Sequence, residues 1–339
     1  MTTDTAATPP ADVPAGSAAD MTGCLLIDSF ATGYQRTAIY RLADGSFLWA
    51  RSPGADRPVL LTEPGRQARH RLASLRSAGV RVALPETAPS ALHYTAHGAD
   101  SAAKLLWTDL TPARRDRLTT ALHGTGRLLR TLHSIPDTGA PPDEITGRTG
   151  PPGPARLAAW MDTGAGPRAA QHLHDVLRTR FGPRRWAAVR SWCAALAEPA
   201  PGDVLLHGAP STGSIVVGDD SAPRRAATDS VLLTGEDLAP GPAAFDLGWL
   251  LGEFLELRMT AASQGLTRPL LTELPEALLD GYGTVGDPLA TGRAAVLRIV
   301  THAHDFAAYM GWHPELGLYA DALPAYIDSD GTAALNGTS

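Results

Sequence analysis

The chain of 339 residues reads as an α+β protein in two lobes, a small antiparallel-sheet lobe followed by a mainly helical one. Three observations predict this. The first hundred residues carry short runs of alternating or apolar character separated by Gly- and Asp-rich turns. From Pro112 the apolar period changes from two to about 3.6 residues per turn. The length exceeds what one hydrophobic core ordinarily supports. With 44% hydrophobic and 19% charged residues there is material for a sizeable core. A disordered chain is excluded on the same ground.

The segment 1–20 has no basic start and no apolar run, so a secretory signal is not expected and the stretch reads as a disordered tail. A sheet lobe is assigned to 21–111. In it "CLLIDSF", "TAIYRL" and "SFLWAR" read as strands joined by "ATGYQR" and "ADG". "GRQARHRLASLRSAGV" follows as a helix, with Ala68, Leu72 and Leu75 on one face and its end at Gly79. "ALHYTAHGADSAAKLLWTDL" supplies two more strands and a connector.

The helical lobe is assigned to 112–325 and a second tail to 326–339. "DRLTTALHGTGRLLRTLHSI" places Leu118, Ala121, Leu122, Leu128, Leu129 and Leu132 on one stripe of an amphipathic helix. The Pro- and Gly-rich stretch 137–155 reads as a surface loop. Helical patterns resume in "ARLAAWM" and "RRWAAVRSWCAALA". "DVLLHGA" and "SVLLTGED" are short strands, and helices dominate from Phe245 to about Trp312.

The formal net charge of −6 gives no general attraction to nucleic acid or to an anionic membrane, and neither is an expected partner. Among 29 basic residues only Lys104 is a lysine, which fits a high-GC bacterial coding bias. Cys24 and Cys193 lie far apart without a CxxC partner, so no zinc or disulfide framework is signalled. No run approaches the roughly 20 apolar residues of a membrane span. A cytoplasmic protein is expected. The pairs His172/His174 and His302/His304 are two apart in helical stretches, so their rings point to different faces and do not chelate one ion. Trp160, Trp186 and Trp192 either line a site or belong to the core.

The order of motifs carries more. A strand-rich lobe with one helix precedes "RTLHSIP", then "LLHGAPSTGSIVV" at 205–217, then "LTGEDLAPGPAAFDLG" at 233–248. This resembles the aminoglycoside phosphotransferase branch of the protein-kinase-like superfamily over roughly Leu25 to Trp312. His207, Gly208 and the run Ile215–Val217 match the family's catalytic-loop frame. Leu233, Glu236, Asp237, Gly241, Ala244, Phe245, Asp246 and Leu247 match its second motif without a gap.

The resemblance implies a two-lobed kinase-like fold with an interlobe cleft, ATP and Mg²⁺ as cofactors, and transfer to a hydroxyl. The departures from it bear on chemistry. Ala209 stands where the family has its catalytic Asp, Ser214 where it has a metal-binding Asn, and Thr234 where an Asp holds magnesium. Arg51 stands near the phosphate-binding strand lysine, and Gln67 at its helix Glu partner. Phosphoryl transfer depends on positioning and charge neutralisation, and Mg²⁺ prefers anionic oxygen ligands, so neutral hydroxyls do not simply inherit that work.

Glu236 and Asp237 are the acids near the gap; either presents to a metal after a shift of the hairpin, or both are solvated or cap the next turn. His207, Ser214 and Asp237 are the candidate catalytic residues, with His207 alternatively a packed, hydrogen-bonded ring. Gly33, Arg36, Arg51 and Trp107 are the candidate nucleotide contacts. By resemblance, Asp246 is structural, its carboxylate accepting from backbone N–H groups of the "HG" loop. Two functions stand side by side. One is atypical ATP-dependent phosphorylation of a Ser or Thr hydroxyl on a peptide, as in kinase-like subunits of bacterial lanthipeptide-type dehydration machinery that act with a separate lyase. The other is a pseudokinase that binds a partner enzyme or peptide.

Overall fold

The computed structural model describes residues 24–57, 61–77, 79–135, 146–219 and 230–335. The expected N-terminal tail at 1–20 lies outside them. The amino-terminal lobe is built on β1 (Leu25–Ala31), β2 (Gln35–Arg41) and β3 (Phe47–Pro53). Then come α1 (Arg66–Leu72), β4 (Arg76–Ser77), β5 (Val80–Ala83), β6 (Glu86–Ala88), β7 (Ala91–Ala96), β8 (Asp100–Ser101) and α2 (Ala102–Leu105).

An antiparallel sheet runs β1-β2-β3-β7-β6. The period-two pattern holds in β2, β3 and β7, where Ile39, Phe47, Trp49, Leu92, Tyr94 and Ala96 turn inward and are buried, whereas the apolar residues of the edge strand β1 are exposed. The Trp49 indole N–H donates to the Gly98 carbonyl at 3.0 Å, so this ring enters the core without an orphaned donor.

α1 is shorter than its apolar spacing predicts. Ala68 and Leu72 are its buried face, but the chain leaves the helix at Ala73. Arg76 and Ser77 pair with Arg81 and Val80 around Gly79, and Val82 N–H donates to the Leu75 carbonyl. Leu75 thus reaches the core from a hairpin, a long-range pairing that helical spacing does not reveal.

The carboxy-terminal lobe holds α3 (Pro112–His133), α4 (Pro152–Thr163), α5 (Ala170–Ala195), α6 (Ala244–Ser263), α7 (Leu270–Tyr282), α8 (Pro288–Tyr309) and α9 (Glu315–Asp328). Thr111 caps α3 by accepting the Arg114 N–H, and all six residues of the expected apolar stripe are buried. α5 is broken at Gly182, where Pro183 restarts it. α6 and α8 pack closely: a Cβ on Gly252 would sit 2.4 Å from the Ala295 carbonyl oxygen.

The loop expected at 137–155 differs from the structure at its end, since Pro152 already opens α4. Residues 136–145 lie outside the described residues. Helical structure also continues beyond 325, because α9 runs to Asp328, and Ile327 and Ala334 remain buried against the helical core. Trp160 and Trp192 are buried in that core with Trp186 packed against it. Among the described residues no helix is long and apolar enough to cross a membrane.

β9 (Val204–Leu206), β10 (Ile215–Val217), β11 (Ser230–Leu233) and β12 (Ala239–Gly241) lie between α5 and α6. A second sheet, β4-β5-β11-β10-β8, draws strands from both halves of the chain and joins the lobes. The lobes are also fastened at the β1–β2 turn. Gly33 N–H donates to the Tyr309 carbonyl at 3.0 Å, and Arg156 of α4 donates to the Tyr34 hydroxyl at 3.4 Å.

Candidate functional site

The loop after β9 is shaped from behind. Asp246, in the first turn of α6 and fully buried, accepts the His207 N–H at 2.7 Å and the Gly208 N–H at 2.9 Å. His133 Nε2 lies 3.0 Å from the same carboxylate, and His133 Nδ1 lies 2.9 Å from the Tyr282 hydroxyl. Gly208 has φ +87°, and a Cβ there would stand 1.7 Å from the Asp237 carbonyl oxygen. Only glycine allows these two loops to lie back to back.

Every side chain on the loop is occupied. His207 Nε2 sits 2.9 Å from the Leu233 carbonyl and therefore donates to it, while Nδ1 accepts the Ala209 N–H at 3.4 Å. The imidazole is a packed strut, with neither nitrogen left for a substrate proton. The Ser214 hydroxyl donates to the Ser211 carbonyl at 2.7 Å and accepts the Ser211 N–H at 3.0 Å. Thr212 gives its N–H and hydroxyl to Glu253 of α6 at 2.9 and 2.6 Å. The Thr234 hydroxyl donates to the Leu232 carbonyl at 2.9 Å.

Above the loop lies the interlobe cleft, in two connected parts. The larger, about 400 Å³, is lined among others by Asp28, Phe30, Thr37, Ile39, Trp49 and Lys104. The smaller, about 160 Å³, is lined among others by Gln35, Ala209, Ser214, Glu236 and Asp237. Arg51, Gln35 and Ser211 border both.

Arg51 donates to Glu236 at 3.0 Å, and the Tyr94 hydroxyl donates to the same oxygen at 2.8 Å. Burial alone would raise the Glu236 pKa, but the Arg51 charge and these two hydrogen bonds hold it below the ordinary glutamate value. Asp237 moves the other way. Burial and the neighbouring Glu236 charge raise its pKa, against the opposing pull of Arg156, Arg57 and Arg148.

The sequence-predicted residues divide accordingly. His207, Ser214, Arg51, Glu236 and Asp237 converge on the smaller cavity. Gly33, Arg36 and Trp107, expected as nucleotide contacts, border neither of these two cavities. The Gly33 N–H is spent on Tyr309. Arg36 is exposed on the face of β2 opposite to Gln35, Thr37 and Ile39. Trp107 is 38% exposed at the surface with the Arg268 guanidinium 5.9 Å from its ring centre. Arg51 takes its ion partner from the loop after β11, whereas Gln67 is exposed on α1. Tyr94, Thr37 and Ile39 went unnoticed in the sequence, although the alternation Gln35-Thr37-Ile39 marks one face of a strand.

The residues present offer a magnesium–triphosphate group few anionic ligands. Among the described residues no three His, Cys, Asp or Glu side chains converge to hold a metal ion. Glu236, one of the two expected metal ligands, is committed to Arg51 and Tyr94, which leaves Asp237 as the carboxylate at the smaller cavity that a phosphate-bound metal would have to use.

No protein-family model matches the sequence, and no curated protein matches it. Solved structures do. An amicoumacin kinase, hAmiN, in complex with AMP-PNP, Ca²⁺ and Ami is 14% identical, with 91% of this chain and 88% of that one covered and a TM-score of 0.52. Plasmodium vivax ethanolamine kinase is 11% identical over 93% of this chain and 82% of that one, with a TM-score of 0.49. Macrolide 2'-phosphotransferase MphH from Brachybacterium faecium is 16% identical over 94% and 93%, with a TM-score of 0.41. The chain has a two-lobed kinase-like fold, similar to that of the amicoumacin kinase. At such identity the likeness concerns the fold alone.

Proposed function

We infer that this protein is a kinase-fold binding module, a pseudokinase whose interlobe cleft holds a small ligand without transferring a phosphoryl group. The observation that carries this is the Arg51–Glu236–Tyr94 cluster. Phosphoryl transfer needs cations and a metal aimed at the triphosphate. Here the basic residue of the cleft floor is neutralised by a carboxylate, and the hydroxyls at Ser214 and Thr234 are turned to backbone carbonyls. Loss of general-base help alone costs roughly 10²- to 10⁴-fold, but loss of the metal removes the means of holding the phosphates together.

A second reading, ATP-dependent phosphorylation of a Ser or Thr hydroxyl with Mg²⁺ on Asp237, is favoured by one fact: Asp237 borders the smaller cavity. The two separate in one assay, release of ADP from ATP with Mg²⁺, with and without an added hydroxyl acceptor peptide. The pseudokinase gives no turnover above the protein-free blank. Magnesium-dependent turnover that disappears in Asp237→Asn establishes the second reading instead.

A further inference from the structure

We propose that Glu236 determines what the cleft accepts: by neutralising Arg51 it shuts out phosphorylated ligands, so the larger cavity takes a flat, hydroxyl-bearing, nucleoside-sized ligand without phosphate. This rests on the cleft being a ligand site.

The first support is charge. Arg51 is the one guanidinium among the described residues bordering the two cavities, and it points at Glu236, beside which stands Asp237. Lys104, the ammonium on the larger cavity, is held by Asp28 at 2.9 Å and Asp100 at 3.0 Å. The cavity borders thus carry two basic side chains against the carboxylates of Asp28, Glu236 and Asp237. A triphosphate entering beside Glu236 and Asp237 meets like charge at close range. Arg148 and Arg156 beyond Asp237 have partners of their own. Arg148 donates to the Glu236 carbonyl and to Thr62, and Arg156 is bidentate on Asp305.

The second support is the state of the neutral donors that a phosphate could use. Gly33 N–H goes to Tyr309, and the Tyr34 and Gln35 N–H groups go to the Thr32 hydroxyl. In the loop below, Ser211 and Ser214 bond each other's backbone N–H groups, and Thr212 N–H goes to Glu253. An anion arriving at these backbone groups finds them already bonded, and taking one means breaking a bond the fold uses; the buried Arg51 Nε, which has no partner, is the donor left over, and the Glu236 charge beside it opposes its use by an anion.

The larger cavity has a different character. At about 400 Å³ it lies in the range of small-molecule sites, with Phe30, Ile39 and Trp49 offering apolar surface and Thr37, Gln35, Asp28 and Lys104 offering polar ends. A ring with hydroxyl or amine substituents matches it.

The test is calorimetric titration of the full chain with adenosine and with ATP, the latter with and without Mg²⁺. The expected result is adenosine bound more tightly than ATP by about ten-fold or more, with no gain from Mg²⁺. In Glu236→Gln the ratio of the two dissociation constants should move toward ATP by about the same factor, because Arg51 is released. ATP bound as tightly as adenosine, or no binding of either, overturns the proposal. Should Glu236→Gln fail to fold, the preference of the unaltered protein decides alone. Tight ATP binding without turnover would sink this proposal and leave the pseudokinase standing, so the two failures are distinct.

Discussion

Arg51 of β3 and Glu236 of the loop after β11 meet at 3.0 Å across the interlobe cleft, 185 residues apart in sequence. Both are largely buried, with side-chain exposures of 13% and 9%. Such a pair is held by geometry, and removing one member leaves an uncompensated charge. Arg51→Met should cost about 3–5 kcal/mol at neutral pH. The pH dependence should also change sign. In the unaltered protein Glu236 is held below its ordinary pKa, so its contribution is present above the unfolded value and is lost as pH falls through the lowered folded one. Without Arg51, burial dominates and raises that pKa, so the variant should gain stability relative to the parent from pH 8 to pH 5. Urea unfolding at both values checks this, and Arg51→Met with Glu236→Gln should recover most of the loss.

Asp246→Ala removes the acceptor of two buried N–H groups and the partner of His133. A loss of about 3 kcal/mol or more is expected from the unsatisfied donors. A change below about 1 kcal/mol in urea unfolding would mean that the loop does not depend on this carboxylate.

These two sites mark where the sequence is legible and where it is not. Asp246, His207 and Gly208 belong to local strings whose order and spacing carry meaning. The strands β2 and β3 and the stripe of α3 follow from period alone. The Arg51–Glu236 pair has no such trace: Gln67 lies at the spacing where a partner was expected, yet its helix turns it to solvent. Trp107 and Arg36 mislead for a related reason. Both were expected at a nucleotide, yet Trp107 beyond α2 and the Arg36 side chain on β2 border neither cavity. Orientation is set by tertiary packing, which single letters do not encode.

Asp305 of α8 is the counter-ion of Arg156, with contacts at 3.1 and 2.6 Å. Burial acts to raise its pKa, but Arg156 and a hydrogen bond from His304 hold it far below the ordinary aspartate value. Its contribution is therefore complete above the unfolded pKa of about 3.9 and fades as pH drops toward the lowered folded value. Asp305→Asn should destabilise the protein by about 3 kcal/mol at pH 7. The gap between variant and parent should narrow at pH 3, as read from thermal or urea unfolding.

Cys193 is 2% exposed in the helical core, and burial pushes its thiol up to about 12. It should resist a thiol-disulfide reagent at pH 8 in the folded protein and react on denaturation. Of the two cysteines, then, no more than one should titrate before urea is added. Rapid modification of both in the native state would contradict the packing around α5.

The fastening of the β1–β2 turn to α8 bears on traffic through the cleft. Behind the larger cavity the lobes are joined by the chain itself, through Ser101 and Lys104. On the other side they are joined by Gly33 on Tyr309 and Tyr34 on Arg156. A gap stitched along both margins does not gape like a jaw hinged at one corner. If the cleft holds a ligand as proposed, substitutions that break the contacts at the hairpin tip should speed its release without touching the walls of the chamber.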